Sequence, residues 1–138
     1  MSRRLLAASV VVALPAAAAL ACGTPSPDLF VVKRDGNVPG AKLELLVSDQ
    51  TARCNDGPVK RLSSEQILEA RDIRDDLIEV QEGIVQVPAL PRAQIFSFVV
   101  TTEMGDLRFS DTAQRPPIFP RVSRFTRRVA IDTCGLER

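Results

Sequence analysis

Apolar and polar residues alternate along several stretches of the first half of the chain, with the two-residue period of a β-strand. The pattern is clearest in Ala41–Val47. It recurs in Thr51–Cys54, where Ala52 and Cys54 share one side. Leu29–Lys33 has the β-branched and aromatic composition of a strand. Because turn residues separate these three stretches, they predict an antiparallel meander.

The period changes to three and four residues after Leu62, which predicts an amphipathic helix. Ser63 and Gln66 have the spacing of a capping box, in which each side chain bonds the backbone of the other residue. Gly83 is a natural end for the helix. The predicted buried face consists of Ile67, Ala70, Ile73, Leu77 and Val80.

The second half of the chain predicts a β-hairpin followed by another helix. Ile95–Glu103 is rich in β-branched and aromatic residues, Met104-Gly105 makes a turn, and Asp106–Asp111 returns as the second strand. The last helix is predicted at roughly Pro120–Cys134. Its apolar face consists of Val122, Phe125, Val129 and Thr133.

These elements predict an α+β fold in a single domain over residues 29–138. The order β-β-β-α-β-β-α indicates a small antiparallel sheet of about five strands, with both helices packed on one face. The glycine- and proline-containing stretch Arg34–Gly40 is predicted to turn, and Ile84–Arg92 to form a loop or a short edge strand. Ile118 and Phe119 either fill the core or stand exposed at a proline-stiffened tip.

The N-terminal segment Met1–Cys22 has the three parts of an export signal. Two arginines are followed by an apolar stretch, and small residues precede Cys22. The apolar run of 17 residues, interrupted by Pro15, is short for a membrane span, which needs about 20. We therefore predict that residues 1–21 are a signal peptide, cleaved between Ala21 and Cys22.

The sequence Ala19-Leu20-Ala21-Cys22 resembles the cleavage site of the bacterial lipoprotein class. In that class the cysteine sulfur receives a diacylglyceryl group and the new N-terminus is usually acylated. The resemblance implies a membrane anchor at Cys22, followed by a tether over residues 22–28. The alternative is an ordinary secreted protein. Either the general secretion route or, through Arg3-Arg4, the twin-arginine route could export it.

The chain contains three cysteines, an odd number. This number bears on whether the protein is lipid-anchored or simply secreted. If Cys22 carries lipid, Cys54 and Cys134 remain as one even pair, and exported proteins keep disulfides in oxidising compartments. We therefore predict a Cys54–Cys134 disulfide. Without lipidation, one of the three cysteines would be a free thiol or would bridge to another molecule.

The composition argues against several classes of function. The chain has no histidine, tyrosine or tryptophan, so the usual general base and the commonest metal ligand are both missing. It contains no CxxC pair and no glycine-rich phosphate loop. Without the leader's two arginines, the formal net charge falls from +1 to −1, which gives no reason to expect nucleic acid as a partner. We therefore expect a monomer without enzymatic activity, metal or cofactor.

Basic residues crowd the last helix, whereas the first helix is acidic. The basic residues are Arg121, Arg124, Arg127 and Arg128. One interpretation is a surface for an acidic protein or polymer. The other is that the two helices lie side by side with solvated, mutually attractive faces, each ion pair contributing under about 1 kcal/mol.

The sequence as a whole predicts an exported, lipid-anchored, non-enzymatic domain with a binding or structural role. Its place would be the outer face of the cytoplasmic membrane or the cell envelope, or otherwise the medium. In a second interpretation, the order of a cysteine-bearing strand, a helix and a glycine-turn hairpin resembles the subtilisin-inhibitor family of soil bacteria. That resemblance implies a secreted protease inhibitor with Pro88–Arg92 as its reactive loop. The family's second disulfide has no counterpart here.

Overall fold

The computed structural model describes residues 28–89, 91–93 and 95–137. The predicted signal peptide, Cys22 and the tether up to residue 27 lie outside the described residues. The strands are β1 Asp28–Gly36, β2 Leu43–Ser48, β3 Thr51–Cys54, β4 Lys60–Arg61, β5 Phe96–Thr102 and β6 Gly105–Ser110. The helices are α1 Ser64–Gln81 and α2 Ile118–Arg128, and α2 continues into a π-helical turn at Val129–Thr133.

The strands form one antiparallel sheet in the order β4-β3-β2-β1-β5-β6. In its middle, Val32 of β1 lies opposite Leu45 of β2 and Val100 of β5, and all three side chains are buried. Alternate residues of the strands other than β4 therefore make one apolar face, which both helices cover. The predicted α+β class is confirmed.

The strand count and order differ slightly from the prediction, because the sheet has six strands rather than about five. The additional strand is β4, an edge strand of two exposed residues that directly precedes the first helix. In addition, β1 does not turn at Arg34 but continues to Gly36, which pairs with Phe96. A side chain at Gly36 would collide with the carbonyl oxygen of Ile95, so glycine permits this close pairing.

Both ends of α1 agree with the sequence prediction. The Ser63 hydroxyl accepts a hydrogen bond from the backbone N–H of Gln66 at 3.2 Å, and the Gln66 side chain accepts one from the backbone N–H of Ser63 at 2.9 Å. At the other end Gly83 has a positive φ of 77°, and the N–H of Ile84 reaches the carbonyl of Glu79 at 3.0 Å. This bond and that from Gly83 to Val80 close the helix as a Schellman motif.

The second helix begins at Ile118, two residues earlier than predicted. Pro120 lies within its first turn, where the missing N–H has no helical partner to lose. Ile118 and Phe119 are buried, so they belong to the core rather than to an exposed tip. The ring of Phe119 stacks on Phe109 at a centroid distance of 4.5 Å, and Phe109 stacks on Phe98 at 5.0 Å.

A disulfide joins the end of β3 to the end of the second helical segment. It links Cys54 and Cys134, whose Cα atoms are 6.2 Å apart, and this pairing confirms the prediction. Cys54 points into the core with Ala52, as the alternation of β3 predicts. None of the described helices is long and apolar enough to cross a membrane.

Candidate functional site

Two of the four arginines predicted as a partner surface form ion pairs with α1. Arg121 faces α1, where its guanidinium donates to Asp76 at 2.9 Å and lies 3.4 Å from Asp72. Arg128 also faces α1 and pairs with Glu69, with Glu65 further off at 3.9 Å. These two arginines therefore hold the helices together, as the second interpretation of the sequence proposed.

The other two arginines differ in their contacts. Arg124 and Arg127 are exposed, and neither forms an ion pair or a side-chain hydrogen bond with any residue that the structure describes. Arg127 lies at the C-terminal end of α2, beside a groove between that end and the β1–β2 connection. Of the four, Arg127 is therefore the one that is exposed and also lines this groove.

We call this groove, with a volume of about 560 Å³, the basic groove. Its charged lining comprises three cations and one carboxylate. These are Arg34, Lys42, Arg127 and Glu137. Its principal apolar lining residues are Val38, Phe96, Ile131 and Leu136. A mainly apolar cleft with a few charged groups is the usual form of a small-molecule site.

Arg34 is the most firmly positioned of the three cations. Its Nε donates to the carbonyl oxygen of Ala41 at 2.9 Å, and its Nη2 donates to that of Gly40 at 3.2 Å. Its guanidinium carbon lies 4.8 Å from the centre of the Phe96 ring, within the range of a cation–π contact. Burial lowers the pKa of Arg34 below its ordinary value, yet a guanidinium in a protein stays ionised.

The walls of the basic groove are braced from both sides. Asn55, which directly follows the disulfide cysteine of β3, has a positive φ of 52°. Its backbone N–H donates to the Glu44 carbonyl at 2.6 Å, and its side-chain oxygen accepts from the Glu44 N–H at 2.9 Å. Across the groove, the N–H of Leu136 donates to the carbonyl of Ala130 at 2.9 Å. The disulfide links these two walls covalently.

Three carboxylates of the β5–β6 hairpin form hydrogen bonds or ion pairs. Asp111 accepts hydrogen bonds from the backbone N–H groups of Ile95 and Phe96 at 2.9 and 3.0 Å. Asp106 accepts one from the Thr101 hydroxyl at 2.7 Å. Glu103 pairs with Arg74 of α1 at 2.7 Å. The first two sets of contacts lie within the hairpin, and the third ties it to α1.

Two other parts of the surface are weaker candidates. A cavity of about 580 Å³ beside the start of α1 is lined by charges of both signs, and there Arg128 already pairs with Glu65 and Glu69. The predicted reactive loop Pro88–Arg92 is described except at Leu90, and its described residues are exposed. Within the described ranges, no group of three His, Cys, Asp or Glu residues could hold a metal ion.

Sequence reasoning did not find the basic groove. Its cations lie in separate stretches of the chain, near the end of β1, just before β2 and in α2. Only folding brings Arg34 and Arg127 to one cleft. The available signals were the predicted disulfide, which places Cys134 beside β3, and the prediction that Arg127 faces solvent.

The fold and the groove define a small disulfide-braced α+β domain with a cationic, partly apolar cleft. The sequence matches no protein-family model, and the comparisons with curated proteins and with solved structures also give no match. The chemistry of the described residues and of the N-terminal segment is therefore the basis for assigning a function.

Proposed function

We propose that the chain is exported, cleaved before Cys22 and anchored by lipid on that cysteine. Residues 29–138 then form a non-enzymatic domain with a binding or structural role, at the outer face of the bacterial cytoplasmic membrane or in the cell envelope. The observation that carries the proposal is the Cys54–Cys134 disulfide. Disulfides persist in oxidising compartments and are rare in the cytosol, so this bond supports export.

The same bond bears on the anchor. It pairs Cys54 with Cys134, which leaves Cys22 as the chain's remaining cysteine. A free thiol is an unusual feature of an exported protein, and acylation would account for it. The small residues that precede Cys22 independently support cleavage at that position.

The basic groove supports a binding role rather than a catalytic one. Its cations are arginine and lysine side chains, which are charged at neutral pH. General acid–base catalysis works best with groups that titrate near the working pH. The basic groove is therefore suited to holding an anion.

The anchor can be tested by mass spectrometry of the mature N-terminus and by membrane fractionation. We expect a diacylglyceryl group on Cys22 and recovery of the protein with the membranes. Cys22→Ala should release the protein into solution, whereas the matched control Ser26→Ala should remain bound. An unmodified N-terminus in the medium would contradict lipidation, and a cytoplasmic protein with an uncleaved leader would contradict export.

The protease-inhibitor alternative rests on the exposed segment 88–92. The described part of this segment is rich in proline, and the Thr112 hydroxyl holds its end by donating to the Arg92 carbonyl at 2.9 Å. Assays with subtilisin and trypsin at micromolar protein test this alternative. Inhibition that Arg92→Ala abolishes would support it, whereas no inhibition of either protease would exclude it.

A further inference from the structure

We propose that the basic groove binds a small anionic ligand with an apolar body, of the chemical class of medium-chain carboxylates. This names a ligand class for the binding role put forward above, and it rests on that role. Four features of the groove favour this class: its charge, the fixed position of one cation, the apolar wall and the size of the cleft.

The charge of the basic groove favours an anion. Three cationic side chains line it against the single carboxylate of Glu137. Among the residues that the structure describes, Lys42 and Arg127 have no ion-pair partner. The cavity beside α1 has a smaller excess, since two carboxylates stand against its three cations. A carboxylate would therefore meet attraction in the basic groove.

Arg34 supplies a cation whose position is set before any ligand arrives. Two of its five N–H donors are used by the carbonyl oxygens of Gly40 and Ala41, which leaves three donors for an anion. The ring of Phe96 restricts the movement of the guanidinium on another side. Because the side chain is already ordered, binding costs less conformational entropy than it would at a free surface arginine.

The apolar wall favours a ligand that has an apolar body as well as a charge. Phe96 and Ile131 are half-buried, and Val38 and Leu136 remain 43% and 37% exposed. An aliphatic or aromatic body would remove this surface from water, which is favourable. A small inorganic anion would satisfy the cations but leave the wall hydrated.

The size and position of the cleft indicate a small molecule that arrives from solution. Its volume of about 560 Å³ falls within the usual range of small-molecule sites. Arg34 lies six residues along β1 from Asp28, so the groove is roughly 20 Å from the point where the N-terminal segment joins the domain. The point of attachment at Asp28 is therefore not part of the groove's lining.

Binding can be measured by isothermal titration calorimetry on the oxidised full chain carrying Cys22→Ala, which stays unanchored whether or not the native cysteine is acylated. The probes are octanoate, octylammonium, which has the same chain length and the opposite charge, and acetate, which has the charge without the chain. We expect saturable binding of millimolar octanoate only. Equal binding of octylammonium, equal binding of acetate, or no binding of octanoate would overturn the proposal.

Variants locate the site. Arg127→Gln and Lys42→Gln should each weaken octanoate binding by about fivefold, the upper range for one exposed ion pair. Arg124→Gln is the matched control, because Arg124 is an exposed arginine of the same helix that does not line the groove, and it should bind as the parent does. An equal loss in Arg124→Gln, or no loss in the other two, would overturn the assignment. The anchor is tested separately, through the modification of Cys22. The lipid-anchor proposal and the ligand proposal can therefore fail independently of each other.

Discussion

A few individual residues determine where the elements of this fold begin and end. Ser63 and Gln66 fix the first turn of α1 by reciprocal hydrogen bonds, and Gly83 adopts the positive φ that ends the helix. Asn55 also has a positive φ, and its side chain bonds the backbone of β2. Each of these residue types is favoured by the backbone geometry at its position, so the local sequence carries the signal.

The capping box gives a prediction for one side chain. Ser63→Ala removes the acceptor for the Gln66 N–H and should lower the free energy of unfolding by about 1 kcal/mol. Urea denaturation followed by circular dichroism measures this change. Ser64→Ala is the matched control, because Ser64 is exposed and alanine is a better helix former. A similar loss in both variants would show that the cap contributes nothing specific.

At the scale of elements, α1 and α2 are held together by charge as well as by packing. Arg121 bridges to Asp72 and Asp76. Arg128 bridges to Glu69 and Glu65, which lie about one and two turns before Asp72 on α1. The apolar faces beneath these pairs bury Ile73 and Phe125 fully. The ion pairs are partly exposed, so burial of the apolar faces contributes most of the stability and the pairs help to fix how the helices align.

This arrangement predicts a small and salt-dependent effect. Arg121→Gln should lower the free energy of unfolding by about 0.5–1 kcal/mol in low salt, and less at 1 M NaCl, because salt screens exposed pairs. Arg124→Gln should change it by less than about 0.5 kcal/mol, since Arg124 bonds to no described residue. Urea denaturation at two salt concentrations measures both variants. A loss in Arg121→Gln that is unchanged by salt would rule out an electrostatic contribution.

The elements differ in how well the sequence predicts them. The sequences of both helices and of the β5–β6 hairpin contain a hydrophobic periodicity, a cap or a turn that can be recognised. The two residues of β4 show no alternation at all, and their strand character depends on pairing with Thr51 and Ala52. The extension of β1 to Gly36 depends likewise on β5 lying beside it. Such features come from tertiary neighbours, which local patterns do not contain.

At the scale of the whole molecule, the basic groove exists because distant parts of the chain meet. Arg34 and Phe96 come from neighbouring strands, whereas Arg127 comes from α2. The sequence identified Arg127 as exposed, but its other partners in the groove follow only from the sheet order. The disulfide was predicted from the number of cysteines, and it is the feature that connects the predicted elements to the groove's geometry.

The disulfide gives a prediction for the whole fold. It closes a loop with a sequence separation of 80 residues, so its removal should lower the free energy of unfolding by about 4 kcal/mol through the greater entropy of the unfolded chain. The total for a domain is about 5–15 kcal/mol, so the loss should be evident in urea denaturation. The variant is Cys54→Ala with Cys134→Ala, and chemical reduction of the parent chain should match it.

Octanoate binding by the same double variant tests whether the bond also shapes the groove. Asn55 directly follows Cys54 in the sequence, and Leu136 comes two positions after Cys134. The two residues line opposite walls of the groove. Without the bond, these walls are held only by hydrogen bonds and packing, so binding should weaken even where circular dichroism shows the domain still folded. Thr133→Ala keeps the disulfide and does not line the groove, so it should bind octanoate normally. Undiminished binding in the folded double variant would mean that the sheet and α2 position the cations without the disulfide.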